Sequence, residues 1–426
     1  MRNTFLLSFL LANFWTFSQK TYTIQECIDL GIKNKQNTIS QESRFQQSLV
    51  NQQFGKLSFL PTFNANSGYN SNYGRKIDPF TNQFGMNVVN SNSLGLSSQL
   101  ILFQGFRYFK QNKVLDKTTE NSTFDIERTN EKVKNQVIEK CILIWKVQLK
   151  MEQQVKMIDD LKAFKLRQTE LVKEGRLSAL DTLTTAINIK TQTITLLNFK
   201  REFSYETINL NFLIGLPVMN ETKIESFKTS LSEYQITLDE YFQIEDLKNK
   251  LEIIELQNKV DKTQIVPTLS FYGNVGTGYY SSNKDYSDPN KPIIPYDTQF
   301  KNNASQSIGF SLSVPLFNKG EYYRKQKIYE ITKQEQSDLI EYKEIEITKK
   351  KSELSAQKTY LEEAILLQKE ILKDKETIVQ VTQLIYLEGK IRLTELEKVE
   401  NEYYTYLQAI QDLEIELLKI SRVKLN

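Results

Sequence analysis

The sequence predicts a mainly α protein of long antiparallel helices, interrupted by a pair of β hairpins. Three observations predict it. Of 15 glycines and 8 prolines in 426 residues, ten and seven respectively fall in two windows, 61–105 and 267–320. Those windows carry 10 charged residues in 99 positions, against 97 in the other 327, so two kinds of structure alternate along the chain. Finally, the second half repeats the first in order, as an internal duplication should.

Residues 1–18 read as an export signal. Met1-Arg2 supplies a positive start, Phe5 to Trp15 is apolar except for Ser8 and Asn13, and Thr16-Phe17-Ser18 offers small residues where a signal peptidase reads. Cleavage is expected before Gln19; the run is too short to span a bilayer as an anchor. Ile24-Gln25-Glu26 lacks the small residue that should precede a lipidated cysteine, so no lipid anchor is expected at Cys27.

The first repeat is expected over 19–217: a helix, strands over about 62–103, a long helix over about 106–173 and a shorter one over about 178–213. In the strand window residues alternate with period two. Phe63, Ala65, Tyr69 and Tyr73 share one parity and Asn64, Asn66, Asn70 and Asn72 the other; Leu94, Leu96, Leu100 and Leu102 oppose Gly95, Ser97 and Gln99. Residues 106–174 then contain neither Gly nor Pro. At about 1.5 Å per residue such a helix is roughly 100 Å long. Val133, Val137, Cys141 and Ile144 fall on one face of it.

The second repeat, 218–426, follows the same plan: a helix, strands over about 268–317, a long helix over about 321–387 and a shorter one over about 392–424. Leu269, Phe271, Val275 and Tyr279 oppose Ser270, Asn274, Gly276 and Gly278, while Ile308, Phe310, Leu312, Val314 and Leu316 oppose Gly309, Ser311 and Ser313. A polar loop separates these strands, over 281–305. Ile371, Ile378, Val381 and Ile385 keep a heptad-like seam on the long helix. The echoes are local as well. Phe59-Leu60-Pro61-Thr62-Phe63 returns as Ile265-Val266-Pro267-Thr268-Leu269, and Glu174-Gly175-Arg176-Leu177 as Glu388-Gly389-Lys390-Ile391, with an acid six residues past each glycine, Asp181 and Glu395.

Composition narrows the function. No stretch of about 18 apolar residues exists, so a polytopic α-helical membrane protein is excluded. With 55 Lys+Arg interspersed among 52 Asp+Glu, no basic face suits nucleic acid. The chain has no His, which removes imidazole triads and His-ligated metals, and no nucleophile–base set, phosphate-cradling loop or metal cluster appears, so neither an enzyme nor a cofactor is expected. Cys27 and Cys141 stand 114 positions apart and make neither a disulfide framework nor a metal knuckle; both read as core thiols.

Strands with one apolar and one polar face, behind an export signal, fit a transmembrane β-barrel. Four strands cannot close one, since the smallest bacterial barrels have about eight. Unpaired edges in lipid cost several kcal/mol per group, so several chains must each donate four. The polar parity would face a watery lumen, and Tyr69, Tyr73, Tyr279 and Tyr280 would form interfacial girdles.

Thr23-Ile24-Gln25-Glu26-Cys27-Ile28, Phe59-Leu60-Pro61, Leu102-Phe103-Gln104-Gly105, Glu174-Gly175 with Asp181, Leu213-Ile214-Gly215-Leu216-Pro217 and the second-half echoes together resemble the TolC-like outer-membrane efflux proteins, over essentially the whole mature chain. The resemblance implies a homotrimer with a 12-stranded barrel in outer-membrane lipid and an α-helical tunnel extending into the periplasm. It implies docking to a periplasmic adaptor protein and an inner-membrane transporter, for efflux or secretion. The turns at Gly175 and Gly389 become the periplasmic tip, and Asp181, Glu395 and Tyr386 match positions of its closed entrance. Where family members place an Arg two residues past the second glycine this chain has Ile391, flanked by Lys390 and Arg392, and a further acidic position is Lys398. Glu395 with Arg392, and Asp181 with Lys390, are the expected gate pairs.

Plainer readings stand beside these. An acid after a glycine turn also serves as a helix cap or first-turn charge, and Asp181 fits cap and gate equally. The glycines also serve simply as left-handed turn residues. The rival to a channel is a non-transporting periplasmic or surface coiled-coil scaffold with the β windows as binding arms.

Overall fold

The computed structural model describes residues 21–77, 82–86, 88–219, 222–224, 236–237, 239–421 and 423–424. The export segment, 1–18, lies outside them. In chain order the elements are β1 (Thr21–Tyr22), α1 (Ile24–Lys33), α2 (Ile39–Gly55), β2 (Thr62–Asn72), β3 (Arg75–Ile77), β4 (Phe84–Met86), β5 (Val89–Phe103), α3 (Arg107–Lys173), α4 (Ala179–Ile214), β6 (Lys223–Ile224), β7 (Ile236–Thr237), α5 (Asp239–Asp261), β8 (Thr268–Tyr280), α6 (Tyr296–Asn302), β9 (Ser305–Ser313), α7 (Glu321–Leu387), α8 (Leu393–Ser421) and β10 (Val423–Lys424). The two long helices, α3 and α7, each run 67 residues. The chain divides into two compact units, one of Met1–Ser43, Phe124–Glu245 and Glu341–Asn426, the other of Arg44–Thr123 and Asp246–Ile340.

The first unit is built on α1 and the middle of α3. Ile24, Cys27 and Ile28 pack with Val133, Val137, Ile138, Cys141, Ile142 and Ile144, and with Leu210 and Ile214 of α4. This is the apolar face that the spacing of Val133, Val137, Cys141 and Ile144 marks in the sequence. Thr23 starts α1 with a capping box: its hydroxyl accepts from Glu26 N (3.1 Å) while Glu26 Oε2 accepts from Thr23 N (2.9 Å). Two short parallel ribbons pair β1 with β6 and β10 with β7. The helix expected to run to about 424 therefore stops at Ser421, because Val423 and Lys424 pair with Ile236 and Thr237 instead.

The second unit carries a four-stranded antiparallel sheet of order β2-β5-β8-β9, besides the short antiparallel pair β3-β4. Its register sorts the residues by face. Phe63↔Ser98, Ala65↔Leu96, Leu96↔Val275, Leu100↔Phe271, Phe271↔Phe310 and Leu269↔Leu312 build an apolar face. Asn64↔Ser97, Asn66↔Gly95, Ser97↔Asn274, Asn274↔Ser307 and Ser270↔Ser311 build a polar one of small residues. Phe63, Leu96, Val275, Ile308, Phe310 and Leu312 are exposed. On the polar face two glycines allow close approaches, Gly278 to backbone and Gly309 to a side chain. A Cβ on Gly278 would meet Asn92 O at 2.7 Å, and one on Gly309 would meet the Tyr272 hydroxyl at 2.7 Å, because that ring lies over it.

Three expectations are corrected here. A bulge between Ile101 and Phe103 shifts the register, so Phe103 pairs with Leu269 and Leu102 drops out of the parity of Leu94 to Leu100. Tyr280 pairs with Ser91 on the polar face, opposite to Tyr279, so the two cannot share one girdle. Strand β9 ends at Ser313, short of the expected 317, since Pro315 has no N–H to give a ladder.

The loop over 281–305 is more ordered than its composition implies. It holds α6, whose buried Gln299 donates from Nε2 to Tyr280 O (3.1 Å) and Ile294 O (2.8 Å) and accepts from Tyr280 N (3.0 Å). Beyond that latch, Asp285 N donates to Pro292 O (2.8 Å) and Ile294 N to Asn283 O (3.0 Å), closing a small polar excursion.

Candidate functional site: the paired glycine turns

Both long helices end in the same way. Gly175 (φ +72°) and Gly389 (φ +75°) sit in the left-handed region one residue past the helix cap. Arg176 N reaches Leu171 O (2.8 Å) and Gly175 N reaches Val172 O (3.0 Å); Lys390 N reaches Ile385 O (3.1 Å) and Gly389 N reaches Tyr386 O (2.8 Å). These are two Schellman caps, which satisfy the carbonyls that a helix end leaves open. Each turn also pairs its flanking charges, Glu174 with Arg176 (3.6 Å) and Glu388 with Lys390 (2.5 Å). The Lys390 ammonium holds the Glu388 carboxyl below its ordinary range.

After each turn a helix restarts. Ser178 caps α4, its hydroxyl accepting from Leu180 N (3.2 Å). Asp181 and Glu395 occupy equivalent places in the first turns of α4 and α8, with Asp181 N on Ser178 O and Glu395 N on Arg392 O, both at 3.1 Å. Each carboxylate thus lies at a helix N-terminus, where the backbone dipole favours it.

Between the turns lies a small core of Tyr386, Leu393 and Leu396, flanked by Phe164, Leu177, Leu387 and Ile391. Tyr386 is 1% exposed and packs its ring on Phe164, centroids 5.6 Å apart. Its hydroxyl accepts from Gln168 Nε2 (2.9 Å) and donates to Asp181 Oδ2 (3.2 Å). Burial pushes the Tyr386 hydroxyl up to about 12; the Gln168 bond pulls it down and the Asp181 carboxylate adds to the rise. Gln168 is fully buried, and its Oε1 has no protein partner. So α3, α4 and α7 are tied beside the glycine turns by one relay, Gln168 to Tyr386 to Asp181.

The structure brings Asp181 and Tyr386 together, but not the expected ion pairs. Lys390 is held by Glu388 two residues away, and among the described residues no ion pair joins Asp181 to Lys390 or Glu395 to Arg392. Glu395, Arg392 and Lys398 are exposed. Sequence reasoning misses Gln168, although a signal exists: it continues the apolar spacing of Met157, Leu161 and Phe164 on α3, and a polar residue in such a stripe calls for a partner.

Further from the turns, a cavity of about 370 Å³ is lined by Asp160, Arg167, Glu376, Glu400, Tyr403 and Tyr404 among others. Burial holds the Glu400 carboxyl above its ordinary range, opposed by the bond from Gln383 Nε2 (2.8 Å) and aided by Glu397 and Asp160. Burial, then Asp160 and Glu400, pushes the Tyr404 hydroxyl well up. Nearby, Glu402 pairs with Lys375.

No family model matches this sequence, and no characterised protein matches it by sequence. Solved structures do match by fold. CusC, described for its transmembrane channel formation, superposes with a TM-score of 0.75 at 14% identity, over 93% of this chain and 90% of that one. The CmeC outer membrane channel of Campylobacter jejuni gives 0.71 at 13%, over 93% and 84%. The MtrE outer membrane channel of Neisseria gonorrhoeae, solved in its open state, gives 0.67 at 14%, over 93% and 86%. With its four-stranded sheet, paired 67-residue helices and duplicated glycine turns, this chain has the fold of those outer-membrane channels, the TolC-like fold that its ordered motifs imply.

Proposed function

We propose that the chain is one subunit of a trimeric exit duct in the outer membrane, extending into the periplasm. It passes substrates delivered by an inner-membrane transporter through a periplasmic adaptor protein. The observation that carries this reading is the sheet. One face is apolar and exposed at Phe63, Leu96, Val275, Ile308, Phe310 and Leu312, the other is built of Asn, Ser and Gly, and among the described residues nothing pairs with the outer edge of β2 or β9. At 11, 15, 13 and 9 residues its strands are long enough to cross a bilayer when tilted, which takes about 9–11. Such edges are tolerable in lipid only when sister chains pair with them.

The helices support the same assembly. Leu180, Ile187 and Ile194 on α4, with Leu183 and Leu197, are exposed at heptad spacing, as are Tyr360, Leu367, Ile371, Ile378 and Val381 on α7. Among the described residues the α7 seam is left exposed, and sister subunits supply its partner. In this reading the glycine turns form the periplasmic tip, with Asp181, Tyr386, Lys390, Arg392, Glu395 and Lys398 around the entrance. The chain acts by conducting, not by catalysis.

Purification from envelopes followed by planar-bilayer recording tests the proposal. Heat-resistant trimers that conduct ions are expected; a soluble monomer without conductance would leave the scaffold reading. Neutralising Asp181 and Glu395 together (Asp181→Asn with Glu395→Gln) is expected to change conductance or cation preference, because ringed carboxylates concentrate negative potential. Unchanged current and selectivity would remove both from the pore.

A further inference from the structure

The two cysteines, remote in sequence, meet in the core of the first unit. Gly31 fixes how α1 lies on α3: a methyl group there would come within 3.0 Å of Val137 Cγ2 and 3.2 Å of Val133 Cγ1. One turn back along α1 stands Cys27, and one turn on along α3 stands Cys141. Stepping backward on one helix and forward on the other keeps the register of an antiparallel pair, so the two side chains continue the approach that Gly31 opens. Both are fully buried in one core cluster, and the Cys141 side chain beside it holds the Cys27 thiol below its ordinary range. In the structure both are thiols.

We propose that Cys27 and Cys141 are joined by a disulfide in the exported protein, pinning the N-terminal helix to the middle of α3. This rests on the export reading, because disulfides form and persist in oxidising compartments. The chemistry is thiol–disulfide exchange with a protein dithiol–disulfide oxidase of the envelope. One cysteine thiolate attacks the oxidase disulfide, forming a mixed disulfide and releasing one oxidase thiolate. The second cysteine thiolate then attacks the bonded cysteine sulfur, forming the Cys27–Cys141 bond and releasing the other. The chain loses two electrons and two protons, and the oxidase disulfide is reduced to a dithiol. Because neither sulfur is accessible after folding, the exchange precedes the docking of α1 on α3. The finished bond is then shielded from reductants.

The test takes the full chain from cell envelopes, quenched in acid and alkylated in denaturant with a maleimide, with and without prior reduction. Trypsin places the two cysteines on separate peptides, 21–33 and 141–146. Without reduction, a linked pair of these peptides and no alkylation are expected; with reduction, both peptides carry the label. Two labelled cysteines without reduction overturn the proposal. A second arm separates this from export: the chain is unfolded and refolded with oxidised glutathione. A linked pair there, from a chain that fractionates outside the envelope, upholds the pairing and counts against export. Two free thiols after refolding overturn the pairing wherever the chain resides.

Discussion

Replacing Tyr386 with Phe isolates the tip relay from the packing around it. The ring keeps its place against Phe164 and beside Leu393 and Leu396, so little apolar burial is lost. What goes is the acceptor for Gln168 Nε2 at 2.9 Å and the donor to Asp181 at 3.2 Å. Asp181 is half-buried and can turn to water. Gln168 is fully buried with Oε1 already unpartnered, so its amide would keep no partner at all. A buried donor left open costs about 1–3 kcal/mol. At roughly 2–4 °C per kcal/mol for a unit of this size, a cost of about 2 kcal/mol lowers Tm by about 4–8 °C. Calorimetry at neutral pH on the unaltered protein and on Tyr386→Phe measures it. Gln168→Leu gives the cycle: the double variant should cost less than the summed singles by about 1 kcal/mol, since removing both groups leaves neither stranded. Singles that simply add, or a Tyr386→Phe protein with unchanged Tm, would refute the relay. The hydroxyl is raised to about 12, so the folded protein holds its proton more tightly than the unfolded chain. Its contribution is therefore present at neutral pH and lost above about pH 10, and the Phe variant should show the shallower alkaline slope.

Other perturbations report on separate features. Glu400 has a raised carboxyl, so its contribution is fully present in acid and lost as pH rises through the raised value. Glu400→Gln should raise Tm at neutral pH and leave it nearly unchanged near about pH 4, as read by thermal melts at both. Gly278→Ala drives a methyl group into Asn92 O at 2.7 Å and should abolish the heat-resistant oligomer on unboiled gels. Gly95→Ala, with its nearest neighbour at 3.5 Å, should keep it. Gly389→Ala meets no atom within 4 Å but must hold φ +75°, so chemical denaturation should show a loss of about 1 kcal/mol from backbone strain alone.

Much of this architecture is legible in the sequence because its periods are long and uninterrupted. A Gly-free, Pro-free run can scarcely be anything but α3 or α7, and the alternation of Asn with Phe and Tyr in β2 survives intact into the sheet. Errors cluster where one residue changes the count. The bulge at Ile101/Phe103 displaces Leu102, and adjacent Tyr279 and Tyr280 take opposite faces. The site is less legible, because its bonds join positions far apart. Gln168 and Tyr386 are separated by 218 residues, and nothing local announces their meeting. Formal charge misleads in the same place: Lys390 looks free to reach Asp181 in the sequence, whereas its nearest acid, Glu388, sits across the glycine. The exposed seam of α7 has a different cause. Its heptad is complete, but the helix that answers it belongs to a sister subunit in the proposed assembly.

The latch made by Gln299 has a practical use. Because one amide secures the end of β8 and the start of α6, whatever is spliced after Asn290 hangs from a closed base and leaves the ladder untouched. An epitope tag at that point becomes a topological reporter. On intact cells, antibody staining would reveal whether this hairpin faces the medium, which places the duct the right way up without extracting it.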